Sequence, residues 1–151
     1  MRHIQPIISH HFFCSLHTTS REDIKDDATG IIRSFIVQLL LRDIPWGLSF
    51  LSKKDLEKIE HDDLETVFVL FQKIVLQLPN LTFVFWMIDG INYYERSERR
   101  QDFLKVIHGL LGIIKERDDI VIKLLLTCHS KSAYVKDTDE KDDILTKRMI
   151  Y

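Results

Sequence analysis

The stretch Leu81–Glu95, LTFVFWMIDGINYYE, decides the fold. An apolar run from Phe83 to Ile88 ends abruptly in Asp89-Gly90. Such a run predicts a strand buried on both faces, and strands of that kind belong to parallel sheets. A carboxylate at the C-terminal tip of the strand stands where open α/β sheets bind ligands. Asp89 is therefore a candidate Mg²⁺-linked residue, holding the ion directly or through water. Asp-Gly is equally a turn signal, in which case the carboxylate merely caps the next loop. The chain has five glycines, and none of them belongs to a GxxxxGK[ST] phosphate loop.

Working outward, Ile120–Cys128 (IVIKLLLTC) and Pro6–Ser15 (PIISHHFFCS) predict two further strands. Between them the apolar spacing turns helical. Ile31, Ile32, Phe35, Ile36, Leu39 and Leu40 form one broad face in a helix over Ala28–Arg42, which Pro45 stops. Ser52–Glu65 is charged, a short solvent-facing helix with Ser52 as N-cap before Asp55. Leu64, Val67, Phe68, Phe71, Ile74, Val75 and Leu78 define a second amphipathic helix, ended by Pro79-Asn80. Asn92–Arg100 reads as a polar loop. A third helix runs to Glu116, and Asp118-Asp119 breaks it. The alternating charges of Lys136–Lys147 read as a solvated helix or frayed end. Strands separated by helices imply parallel pairing with right-handed crossovers. The core is expected over residues 1–135, with a charged C-terminal helix or tail over 136–151.

The composition is that of an ordinary globular chain. It has 151 residues, 45% hydrophobic and 29% charged, with a net charge of −2. That balance gives no footprint for nucleic acid or an anionic membrane. No apolar run approaches the ~20 residues of a membrane helix. Cys14 and Cys128 lie in apolar surroundings and read as buried thiols of a reducing compartment, hence a cytoplasmic location. Cys14, His10 and His11 make too loose a cluster for zinc, because adjacent strand residues face opposite ways. Residues 1–21 contain no acid, but arginine is too sparse there for a transit peptide. Trp86, in mid-strand, reads as core packing. No nucleophile-elbow pattern favours a hydrolase.

The strand at Ile120–Cys128 leads into Thr127-Cys128-His129-Ser130-Lys131, polar and basic groups that could sense a γ-phosphate. Read alone, they are a solvated loop. Taken together, VFWMIDGINYYE, an amphipathic helix and IKLLLTCHSKS resemble the P-loop NTPase core of fungal NACHT-like STAND proteins, with a nephrocystin-type N-terminal NTPase domain. HHFFCS and TGIIRSFIVQLLLR resemble that family's second core strand and the helix after it. Ile32, Arg33, Ser34, Phe35, Gln38, Leu39 and Leu40 stand in its pattern. The resemblance covers roughly Ile8 to Ser132.

The resemblance implies part of a three-layer, P-loop NTPase-like parallel α/β sheet with flanking helices. It gives Asp89 the role of linking Mg²⁺ through water, and Gly90 the tight turn. Thr127 and Lys131 would lie on the phosphate side, with Asn92 at a second, normally acidic, catalytic position. Mg-ATP or Mg-GTP is the implied cofactor. The chain departs from the family at three points. Asn92 is not an acid, and Glu95 is the nearest carboxylate. Lys131 replaces an arginine and lacks its planar fork. The phosphate loop and first strand should precede Ile8. The expectation is a fragment of a STAND-type switch domain that binds little nucleotide alone, its sheet lacking a strand near the centre and so recruiting itself or a protein partner. The alternative is a non-catalytic α/β interaction module.

Overall fold

The computed structural model describes residues 6–14, 28–95, 99–128 and 144–148. Four parallel strands form one sheet in the order β1-β2-β3-β4: Ile7–Phe13, Phe83–Asp89, Val121–Cys128 and Ile144–Arg148. The helices are α1 (Thr29–Leu40), α2 (Lys53–Glu60), α3 (Leu64–Val75), α4 (Asn92–Glu95) and α5 (Arg100–Glu116). The three expected strands and the amphipathic helices therefore form. Ser52 caps α2 in a full capping box with Asp55, and Asp63 caps α3. The hydrogen bonds from the Ser52 hydroxyl and backbone hold the Asp55 carboxyl below its usual range.

Strand order explains the layering. The described strands follow one another in one direction across the sheet, and crossovers of one hand then put the described helices on the same face. Phe35 of α1 and Phe71 of α3 pack on Trp86 of β2, at ring distances of 6.2 and 5.5 Å. Val106, Leu110 and Ile113 of α5 complete this layer. Ile8, His10, Phe12, Val84, Trp86, Ile88, Ile122, Leu124 and Leu126 are buried beneath the helices. The intervening residues are not. Ile7, Phe13, Phe85 and Val121 are 68%, 42%, 43% and 41% exposed. The continuous apolar run of β2 thus has alternating burial, a sheet with one helical layer among the described residues.

Three expectations need correction. First, β2 and β3 pair directly from Phe83↔Val121 to Asp89↔Thr127, so no gap lies between them; each strand satisfies the ladder of the other. Second, Asn92–Arg100 is not simply a polar loop. Asn92–Glu95 forms a helical turn because Ile91 and Tyr94 are drawn into the core, where Tyr94 stacks on Phe103 at 4.9 Å. Third, Ile144–Arg148 is not helix or frayed end but a strand on the edge of β3, extending the sheet beyond residue 135. Its charged flanks mask the short β-prone run, and pairing with an available edge overrides local preference.

Candidate functional site

The C-terminal tips of the strands bring the predicted residues together. Phe13, Asp89 and Thr127 lie at one register level, with Lys147 of β4 beside Thr127. The Thr127 hydroxyl donates to Asp89 Oδ1, fixing the carboxylate at the end of β2. The chain then turns sharply. Gly90 and Ile91 both donate their N–H groups to the Thr127 carbonyl, at 2.9 and 3.0 Å. Gly90 has φ +80°, the left-handed region that glycine enters without steric cost. A Cβ on Gly90 would meet only an ordinary contact, 3.6 Å from Cys14 Cβ, so the backbone angle selects glycine here.

Asn92 opens the helical turn after Gly90. Its Oδ1 is buried and has no hydrogen-bond partner. A carboxamide cannot take a proton from water, so Asn92 is no general base. Lys131 lies outside the described residues. The sequence alone does not place two neighbours at this edge, although it marks Cys14 as a buried thiol. Cys14, just past β1, is fully buried beside Gly90, and Tyr94 anchors the following turn from the core. The only signal for Tyr94 was an Ile-x-x-Tyr spacing of one helical turn.

One carboxylate and one hydroxyl suit a hydrated Mg²⁺, an ion that keeps several waters and takes one or two protein carboxylates. Asp89 and Thr127 would hold it. The same edge does not suit a triphosphate. The Gly90 and Ile91 N–H groups, which could face a phosphate, are spent on the Thr127 carbonyl. Ligand crevices in open α/β sheets form where strand order reverses, and the order of the described strands, β1-β2-β3-β4, does not reverse. Among the described residues no group of three or more His, Cys, Asp or Glu could hold a metal alone. A cleft lined by Asp63, Leu64, Phe68, Lys105 and Val106 lies between α3 and α5 and shares no residue with the strand tips.

These features define a mixed α/β domain with a parallel, helix-flanked sheet, consistent with part of a P-loop-like fold. The chain matches the family model described as Nephrocystin 3, N-terminal over residues 2–129, and it belongs to that family. Neither the comparison with curated proteins nor that with solved structures gave a match. Among the described residues no helix is long and apolar enough to cross a membrane.

Proposed function

We propose that this chain is part of a nucleotide-regulated switch domain of the STAND or NACHT type, with Asp89 as its Mg²⁺-linked carboxylate and Thr127 as the group that orients it. The hydrogen bond between these side chains, at one level of adjacent parallel strands, carries the reading. Family membership supports it. By itself the chain binds ATP or GTP poorly and hydrolyses neither, because the described strand tips have no free phosphate cradle. Its partners are proteins or further copies of itself. It works in the cytoplasm, a reducing compartment that keeps Cys14 and Cys128 as thiols.

The test is a titration with Mg²⁺, then with Mg-ATP and Mg-GTP. Millimolar Mg²⁺ should shift the amide resonances of Asp89, Gly90 and Thr127, and Asp89→Asn should abolish those shifts. No nucleotide should bind tighter than about 1 mM, roughly −4 kcal/mol. Unmoved resonances would remove Asp89 from a metal role. Micromolar nucleotide affinity would show that these tips already form a phosphate site.

A second reading has its own observation. The apolar face bearing Ile7, Phe13, Phe85 and Val121 lies uncovered by any described helix, as a non-catalytic interaction module would require.

A further inference from the structure

Among the described residues β1 is an outermost strand. The Phe83 N–H donates to the Pro6 carbonyl at 2.9 Å. In a parallel ladder this turns the peptide groups of residues 8, 10 and 12 toward β2, and those of residues 7, 9, 11 and 13 outward. Gln38 of α1 meets the outward pair at His11. The His11 N–H donates to Gln38 Oε1 at 3.0 Å, and Gln38 Nε2 donates to the His11 carbonyl at 2.9 Å. A carboxamide presents the same donor and acceptor as a peptide group. Gln38 therefore stands where the next strand would stand. Its pose is fixed, since Nε2 also donates to Ser34 Oγ at 2.9 Å, one helical turn earlier. One turn later, Arg42 Nη2 reaches the outward Ser9 carbonyl at 3.4 Å.

The strand being covered has the composition of one that adds to itself. IISHHFF holds no proline, no glycine and no Asp, Glu, Lys or Arg. Two copies brought side by side meet no like-charge repulsion from acidic or strongly basic side chains. In an antiparallel pair centred on His11, each copy would exchange both N–H···O bonds with the other. We propose that Gln38 is an edge guard. It holds the His11 peptide groups that an added strand needs, and the strand it excludes is β1 of a second copy of this chain.

Sedimentation of Gln38→Ala against the unsubstituted protein tests this. Freeing two backbone groups on each copy should tighten self-association at least about tenfold. Gln38→Ala combined with His11→Pro should restore the original behaviour, because proline is tolerated on an edge strand but offers no N–H. The His11 amide of the unsubstituted protein should exchange at least about tenfold more slowly than an unprotected amide. A folded Gln38→Ala that sediments like the original, or association that His11→Pro does not reverse, overturns the proposal. A His11 amide exchanging at the unprotected rate overturns it too, and that measurement needs no variant to fold.

Discussion

His10 is a titratable residue in an apolar place. It is fully buried on the helix-covered face of β1, its ring 5.5 Å from that of Phe35, and neither ring nitrogen has a hydrogen-bond partner. Burial first, then the positive charges of Arg42 and the neighbouring His11, lower its pKa from 6.5 to about 4. The neutral ring is the form the fold accepts. Between pH 6.5 and about 4 the unfolded chain binds the proton and the folded chain does not. Stability therefore falls as pH drops through that window, by on the order of 3 kcal/mol for the full interval. His10→Leu should remove this component while costing little at pH 7, since an unpartnered imidazole gives way to an apolar side chain. Urea unfolding of both proteins at pH 7 and pH 4.5 checks it. Equal pH slopes in the two would show that His10 does not titrate as its burial requires.

Arg117 shows how elements are tied. Its guanidinium is nearly fully buried and donates from Nη1 to the Val75 carbonyl at 2.7 Å and from Nη2 to the Leu78 carbonyl at 3.3 Å. It thereby adds a second bond to the Val75 carbonyl at the end of α3, which also accepts from the Leu78 N–H, and holds the Leu78 carbonyl of the turn that follows. Asp119 pairs with the same group through Nε and Nη2, at 2.6 and 2.8 Å. These bonds hold the Asp119 carboxyl below its usual range, so the stabilisation they give is present above the normal carboxylate pKa and fades as pH falls below it. Arg117→Ala should cost about 2–4 kcal/mol, read as a fall of roughly 6–12 °C in Tm for a chain of this size. A loss under about 0.5 kcal/mol, the range of an ordinary surface change, would mean that the clamp is redundant. The family-pattern residues of α1 likewise act between elements. Arg33 pairs with Asp62 at 2.7 Å and donates to the Ile59 carbonyl, fixing the α2–α3 corner, while Ser34 steadies Gln38.

At the scale of the molecule, the uncovered sheet face matters most. Parallel sheets are ordinarily covered on both sides. Here one side carries Ile7, Phe13, Phe85 and Val121 in the open. The unsubstituted chain should self-associate at micromolar concentration through this face. Phe85→Ser with Val121→Thr should weaken that association strongly, and His11→Pro should leave it unchanged because the edge is not its route. Analytical ultracentrifugation decides the matter. A monomeric unsubstituted chain would show that this face needs no cover.

The sequence by itself determined the elements whose local signals agree. Apolar runs gave β1, β2 and β3, helical spacing gave α1, α3 and α5, and Ser52 with Asp55 gave the α2 cap. It also singled out Asp89 and Thr127, because a polar residue after an apolar run marks a strand tip wherever the strand lies. Only the tertiary structure decided that the two meet, since their hydrogen bond depends on β2 and β3 being neighbours in exact register. The sheet order decided that one face is covered, because burial depends on where helices land and not on how apolar a strand is. It also recruited Ile144–Arg148 as β4, whose charged surroundings outweigh its short apolar signal until an edge is there to pair with. The uses of Gln38 and Arg117 were equally hidden. A carboxamide on a helix or a charge beside a turn reads as solvated until folding brings a strand edge or a helix end within reach.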